Sequence, residues 1–191
     1  MPQGSVLSPL LYNMYTSDLP SHNNSQVAQY ADDTAIYFKH YNISKCISTI
    51  TEHLQKITQW CIKWRIKINK EKTQFIVFSK RCPVIPPLQI GNRLITPTAN
   101  TKYLGIYLDR RLNWHRHFEY TKGKVSRKLF QLYPLFRTIS LPLQQKVSIY
   151  KMYIRASMLY GAPVWRNAAK EHLHTLQKLQ NKIARLSTGT D

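Results

Sequence analysis

Two adjacent aspartates, Asp32 and Asp33, stand between residues 27–30 and 34–38, two short runs rich in β-branched and aromatic side chains. This pattern predicts a β-hairpin with the acids at its tip, where neighbouring side chains can converge. Adjacent carboxylates repel each other, and a divalent cation removes that conflict, because Mg2+ is bound by one or two carboxylates plus substrate phosphate oxygens. An ordinary turn explains the same residues, since aspartate is common in turns. The pair alone therefore leaves a metal site and a simple turn both open.

Helices are predicted on both sides of this hairpin. Apolar residues at helical spacing over 5–19, ended by Pro20, predict the first helix. Apolar residues spaced by three and four over 43–64 predict a long amphipathic helix that packs on one face. These two elements would position the acidic tip.

Further strands and turns are predicted after the long helix. Residues 69–73 form a polar turn, and residues 74–79 read as a strand. Residues 88–90 and 93–96 around Gly91-Asn92 predict a second hairpin, and residues 102–108 predict one more strand.

From Trp114 onward the apolar pattern is helical, with one helix starting there and others over about 143–160 and 168–186. The strands therefore precede an all-helical region, and the boundary falls near residues 109–114. This order predicts an α+β fold.

Charge is distributed unevenly along the chain, which carries 28 Lys and Arg against nine Asp and Glu, a formal net charge of +19. Residues 1–60 hold three basic and four acidic side chains, so the positive charge lies downstream. This excess favours nucleic acid as a partner. The predicted backbone contacts are Lys122, Lys124, Arg127 and Lys128 in the first helix of the C-terminal region and Lys178, Lys182 and Arg185 in the last. The alternative is a solvated helix face.

Several other classes of protein are excluded by composition. No apolar run is long enough for a transmembrane helix, no secretory signal pattern opens the chain, and three scattered cysteines do not predict a disulfide scaffold. We therefore expect a soluble, intracellular protein. The pairs His115/His117 and His172/His174 lack zinc-site spacing, so solvated or partner-contacting histidines are expected, and Trp114 and Trp165 are expected in the core.

Five segments carry short motifs in a fixed order. They are Pro2-Gln3-Gly4-Ser5-Val6-Leu7-Ser8-Pro9, Tyr30-Ala31-Asp32-Asp33, Asn69-Lys70-Glu71-Lys72-Thr73, Tyr103-Leu104-Gly105-Ile106-Tyr107-Leu108-Asp109 with Leu112-Asn113-Trp114, and Leu159-Tyr160-Gly161-Ala162-Pro163-Val164-Trp165. Their letters and order resemble the reverse transcriptases of non-LTR (LINE-type, jockey-like) retrotransposons. The resemblance covers nearly the whole chain.

This resemblance implies RNA-directed DNA polymerisation, a two-metal nucleotidyl transfer that extends a DNA primer on an RNA template with dNTP and Mg2+. It implies a partial right-hand polymerase palm over residues 1–110, an antiparallel sheet with helices on one face, followed by a helical thumb-like region over 111–191. A nuclear location is expected from the family's replication at chromosomal DNA.

The resemblance also implies roles for single residues. Asp32 and Asp33 would belong to the metal centre, and Tyr30 would flank the incoming nucleotide and primer end. Gln3 and Gly4 would lie along the template.

Two further assignments stay open. Lys72 would contact phosphate or protonate the leaving pyrophosphate, or it is a solvated turn lysine. Tyr103, Leu104 and Gly105 would grip the primer backbone, or they form a core strand and a tight turn.

Enzymes of this family use a further carboxylate and a fingers region that precede the Pro2-Gln3-Gly4 segment, and this chain begins at that segment. We therefore expect the chain not to polymerise alone and to need the N-terminal part of the same polyprotein. The alternative is a non-catalytic, basic, nucleic-acid-binding remnant of a decayed element.

Overall fold

A computed structural model describes residues 6–81 and 84–189, which fold as two compact units. The N-terminal unit comprises the described residues of Met1–Val77 and Arg81–Thr98, and the C-terminal unit those of Phe78–Lys80 and Ala99–Asp191. Strands end at Asp109 and the long helix starts at His115, as predicted, although the hairpin before Asp109 belongs to the C-terminal unit. No helix within the described ranges is long and apolar enough to cross a membrane.

The N-terminal unit contains two helices and two hairpins. In chain order these are α1 (Leu7–Tyr15), β1 (Gln26–Tyr30), β2 (Asp33–Tyr37), α2 (Ile43–Lys63), β3 (Leu88–Ile90) and β4 (Arg93–Ile95). Strands β1 and β2 pair antiparallel, and so do β3 and β4, which confirms both predicted hairpins.

Helix α2 is the longest element of this unit and confirms the predicted amphipathic helix. Asn42 caps its start, because the side-chain oxygen accepts a hydrogen bond from the amide of Ser44 at 2.9 Å. Its apolar face buries Ile57, Trp60 and Cys61, the small core of this unit.

The strand predicted over residues 74–79 is wrong. Phe75 forms an isolated bridge to Pro97, and within the described residues the segment is not part of a strand. The four consecutive apolar residues at 75–78 favour a strand, but a strand needs a neighbour that continues the ladder.

The C-terminal unit contains one hairpin and a set of helices. They are β5 (Asn100–Tyr103), β6 (Ile106–Asp109), α3 (His115–Arg137), α4 (Leu143–Ile149), a π-helical turn (Tyr150–Arg155), α5 (Ala156–Met158), α6 (Ala162–Trp165) and α7 (Lys170–Thr188). The core includes Val125 of α3 and Ile183 of α7, and both Trp114 and Trp165 are buried in it as predicted.

The single strand predicted over 102–108 is wrong, because the chain reverses in its middle. Tyr103 pairs with Ile106, so Leu104 and Gly105 form a two-residue turn with φ of 45° and 79°. A turn with both central residues at positive φ matches the twist of the flanking strands.

The predicted helix over about 143–160 is interrupted by the π-helical turn. The described residues form three separate two-stranded sheets in place of one palm sheet. The mixture of helices and small antiparallel sheets agrees with the predicted α+β class.

Candidate metal centre and nucleic-acid surface

The acidic hairpin places its carboxylates in solvent. Tyr30 at the end of β1 pairs with Asp33 at the start of β2, so Ala31 and Asp32 form the turn. Asp32 and Asp33 are exposed, and the Tyr30 side chain is 67% exposed beside them. The sequence prediction of an acidic hairpin tip is confirmed.

Helix α1 brings a tyrosine toward this tip. Burial, reinforced by the negative charge of Asp32, raises the pKa of the Tyr12 phenol above its ordinary value. Tyr12 therefore belongs to the electrostatic surroundings of Asp32. The sequence analysis did not single out Tyr12, and the only signal for it was its position within the helix predicted over residues 5–19.

The hairpin offers two carboxylates as metal ligands. Carboxylate oxygen is the ligand type that Mg2+ prefers, so the residues present fit that ion. Within residues 6–81 and 84–189, no three His, Cys, Asp or Glu side chains gather where they could hold a metal. Asp32 and Asp33 are therefore the described residues whose chemistry suits Mg2+ at this hairpin.

Other acids have structural roles. Asp109 at the end of β6 accepts hydrogen bonds from the amides of Arg111, Asn113 and Trp114, at 3.1, 2.9 and 2.6 Å. Its carboxylate thus satisfies backbone donors ahead of α3.

Among the other predicted nucleotide and template contacts, only Lys72 lies within the described residues. Gln3 and Gly4 fall outside them. Lys72 is exposed in a turn in which the side-chain oxygen of Asn69 accepts hydrogen bonds from the amides of Glu71 and Lys72, both at 3.2 Å. Both interpretations of Lys72 fit this geometry.

Tyr103 ends β5, and Leu104 and Gly105 make the turn to β6. This geometry is the strand with a tight turn that the sequence left open. The carbonyl of Leu104 accepts a 2.9 Å hydrogen bond from the hydroxyl of Tyr160. Primer binding by these residues stays a prediction.

Most of the predicted backbone contacts are exposed, on two helices of the C-terminal unit: Lys122 and Arg127 on α3, and Lys178, Lys182 and Arg185 on α7. Lys124 and Lys128 are half-buried. Because these five residues are exposed, their side chains are accessible to an anionic backbone.

Lys128 differs from its neighbours because its ammonium is engaged within the unit. It donates hydrogen bonds to the carbonyl of Tyr153 at 3.1 Å and to the hydroxyl of Ser157 at 2.5 Å, and lies 3.8 Å from the Tyr153 ring centroid. Desolvation, together with the nearby charge of Lys124, lowers the pKa of Lys128. The ammonium of Lys128 therefore stabilises the C-terminal unit through these contacts, and a nucleic acid would have to compete with them.

The expectation of solvated histidines is wrong for His117, which is 3% exposed. Its ring lies 6.1 Å from that of Trp165, and its Nδ1 accepts a 3.5 Å contact from the amide of Tyr107. Burial lowers the pKa of His117, since a charged imidazolium loses hydration there.

Comparison with known proteins identifies the family. Residues 1–108 match the family described as reverse transcriptase (RNA-dependent DNA polymerase). The chain belongs to the reverse transcriptase family. The match spans the acidic hairpin and the Leu104-Gly105 turn, and it confirms the resemblance on which the site residues were chosen.

Relatives extend the similarity through the helical region. The chain is 36% identical to the RNA-directed DNA polymerase from mobile element jockey of Drosophila melanogaster, over 99% of this chain and 22% of that protein. It is 32% and 33% identical to the probable RNA-directed DNA polymerases from transposons X-element and BS of the same species, over 100% and 98% of this chain and 22% of each relative. The chain thus spans about a fifth of the length of these relatives. No solved structure matches it.

Proposed function

We propose that this chain contributes the metal-binding hairpin of an RNA-directed DNA polymerase that extends a DNA primer on an RNA template. The observation that carries the proposal is the exposure of Asp32 and Asp33 at a two-residue hairpin tip inside the family match. In this proposal the sequence Tyr30-Ala31-Asp32-Asp33 is a catalytic segment.

The proposed chemistry is in-line phosphoryl transfer from dNTP to the primer end. When bound, Mg2+ supplies positive charge that stabilises the attacking and leaving oxygens. Asp32 is a metal ligand and Asp33 its neighbour in the same centre. Tyr30, exposed on the same hairpin, packs beside the incoming nucleotide, and Lys72 contacts its phosphates.

Two carboxylates do not complete a two-metal site, so a further carboxylate comes from polypeptide outside this chain. The relatives are longer proteins, which is consistent with such a supply. On this proposal the isolated chain binds substrate without completing the reaction.

The alternative function is nucleic-acid binding without catalysis. The exposed basic side chains of α3 and α7 favour it, because Lys and Arg that neutralise phosphates supply affinity without sequence preference. It uses the C-terminal unit alone and leaves the acidic hairpin without a role.

A chimera tests the proposal in a complete polymerase. The chain replaces the aligned segment of the jockey relative, and the chimera is assayed for Mg2+-dependent incorporation of dNTP on an RNA template. Asp32→Asn is expected to lower incorporation by at least about a hundredfold, because a metal ligand is lost. Glu71→Gln, which removes an exposed carboxylate of the same unit, is the matched control.

The results separate the two functions. Incorporation that survives Asp32→Asn overturns the catalytic proposal. An inactive chimera that still binds an RNA–DNA hybrid favours the non-catalytic function. Metal binding is checked on the isolated chain with Mn2+, whose paramagnetic broadening of the hairpin amide signals is expected to weaken in Asp32→Asn.

A further inference from the structure

Two of the motif segments, residues 103–109 and residues 159–165, pack against each other in the C-terminal unit. The Tyr160 hydroxyl donates a 2.9 Å hydrogen bond to the carbonyl of Leu104. A Cβ at Gly105 would lie 3.1 Å from Cε1 of Tyr160. The aromatic ring therefore lies directly against the hairpin turn, and the absence of a side chain at Gly105 makes room for it.

The contact is reciprocal, because a second glycine faces the hairpin. Gly161 has φ of +68°, and a Cβ there would lie 2.5 Å from Cδ1 of Ile106, the first residue of β6. Each segment thus has a glycine where the other places a side chain. A side chain at Gly161 would require the Ile106 side chain to move, and the positive φ disfavours any residue other than glycine there.

The core holds this junction in place. The indole of Trp165 donates a 2.9 Å hydrogen bond to the carbonyl of Tyr160. The Trp165 ring is buried and meets Phe118 edge-on, with the ring centroids 5.2 Å apart. Tyr160 is therefore fixed by its backbone at one end and by its hydroxyl at the other.

Leu104 needs this support. Its φ of 45° lies in the left-handed region, which is unfavourable for a residue with a side chain. The turn is held by the contacts of Tyr160 against the local preference of Leu104. Without them, the preferred backbone of this residue would change the shape of the turn.

A cation stands next to the turn. Lys102 is exposed on β5, and its ammonium lies 5.0 Å from the ring centroid of Tyr120 and 5.7 Å from that of Tyr107. Tyr107 is on β6, so the shape of the hairpin also sets the position of this charge. Lys102 is not among the residues singled out from the sequence.

We propose that Tyr160 is a positioning residue for primer binding: it fixes the Leu104-Gly105 turn so that Lys102 meets a phosphate of the primer strand. The inference rests on the proposed function and on the prediction from sequence that the segment from Tyr103 to Gly105 contacts the primer. Small displacements matter there, because a contact must be held within about 0.5 Å to be productive.

The test compares binding of two probes by fluorescence anisotropy. One probe is a DNA primer annealed to a longer RNA template, and the other is the same RNA single-stranded. Tyr160→Phe keeps the ring and removes only the hydroxyl donor, and it is expected to weaken primer–template binding about fivefold, with single-stranded RNA binding unchanged. Tyr41→Phe, at a tyrosine that is 93% exposed, is the matched control.

A double-mutant cycle separates positioning from a general loss of stability. Lys102→Gln is expected to weaken primer–template binding and to reduce the salt slope by about one. If Tyr160 acts through Lys102, Tyr160→Phe adds little in the Lys102→Gln background. Thermal unfolding of each variant confirms that it is folded at the assay temperature.

Two results overturn the inference alone: primer–template affinity unchanged in Tyr160→Phe, or effects of the two variants that add in full. A wild-type chain that binds both probes equally would overturn primer binding itself, and with it the inference. Because Lys102→Gln alters an exposed side chain, its affinity and salt slope remain measurable even if Tyr160→Phe does not fold.

Discussion

The carboxylate of Asp18 accepts a 3.0 Å hydrogen bond from the indole of Trp60, one helix later in the chain. Its second oxygen accepts a 3.1 Å hydrogen bond from the indole of Trp64. The hydroxyl of Tyr15 adds a 2.8 Å hydrogen bond to the carbonyl of Trp64. These contacts attach the end of α1 to the end of α2. Asp18 therefore stabilises the N-terminal unit, which contains the acidic hairpin.

Asp18→Asn tests this attachment. The asparagine side chain has one acceptor oxygen, so one indole N–H loses its partner and faces an amide donor. We expect the free energy of unfolding to fall by about 1–3 kcal/mol, measured by urea denaturation. Glu71→Gln is the isosteric control at an exposed position and should stay within about 0.5 kcal/mol of the wild type. Equal stability of Asp18→Asn and this control would show that the indole contacts contribute nothing.

Regular patterns made part of the fold predictable. Helix α2 follows from apolar spacing over 22 positions and was predicted to within one residue, since the observed bounds are Ile43–Lys63. The acidic hairpin follows from two β-rich runs separated by turn residues. Both are local signals, and local signals are what sequence reasoning can use.

The missed features depend on contacts between distant residues. Nothing local predicts a turn at Leu104, because leucine disfavours the positive φ it has there. That turn is held by Tyr160, 56 residues away. The π-helical turn likewise receives a contact from a distant residue, because the ammonium of Lys128 donates a hydrogen bond to the carbonyl of Tyr153, 25 residues away. Asp32 and Asp33 were singled out through motif similarity, whereas the electrostatic link between Tyr12 and Asp32 needed the structure.

Ala31→Gly tests whether strain is stored at the acidic tip. Ala31 is the first turn residue and has φ of 50°, where glycine avoids the steric cost of a Cβ. We expect the substitution to raise the free energy of unfolding by up to about 1 kcal/mol. Ala28→Gly, within β1, is the matched control and should lower it by about 0.5–1 kcal/mol. Destabilisation of equal size at both positions would argue against strain at Ala31.

His117 predicts a pH dependence of stability. Burial holds its folded-state pKa below the ordinary value of 6.5, so the unfolded chain takes up the proton first. The neutral imidazole's contribution is therefore present above pH 6.5 and is lost as the pH falls below it. His117→Gln does not titrate, so its stability deficit relative to the wild type should narrow between pH 7.5 and pH 5.5. Urea denaturation at both pH values measures this, and a deficit that widens in acid would contradict it.

Lys128 and Lys122 both lie on α3, but we expect their substitutions to change different measured properties. Lys128→Met removes the hydrogen bonds to Tyr153 and Ser157 and the cation–π contact, so the free energy of unfolding should fall by about 1–2 kcal/mol. Lys122→Met removes an exposed charge on the same helix and should change that free energy by less than about 0.5 kcal/mol.

The salt dependence of RNA binding should be changed more by Lys122→Met than by Lys128→Met, the reverse of their effects on stability. Lys122→Met is expected to reduce the slope of log affinity against log salt by about one, since one phosphate contact and its counterion are lost. Lys128→Met should change that slope less, because its ammonium is already bound to the Tyr153 carbonyl. If Lys128→Met changed the slope and left stability intact, Lys128 would be a nucleic-acid contact whose internal hydrogen bonds are released when RNA binds.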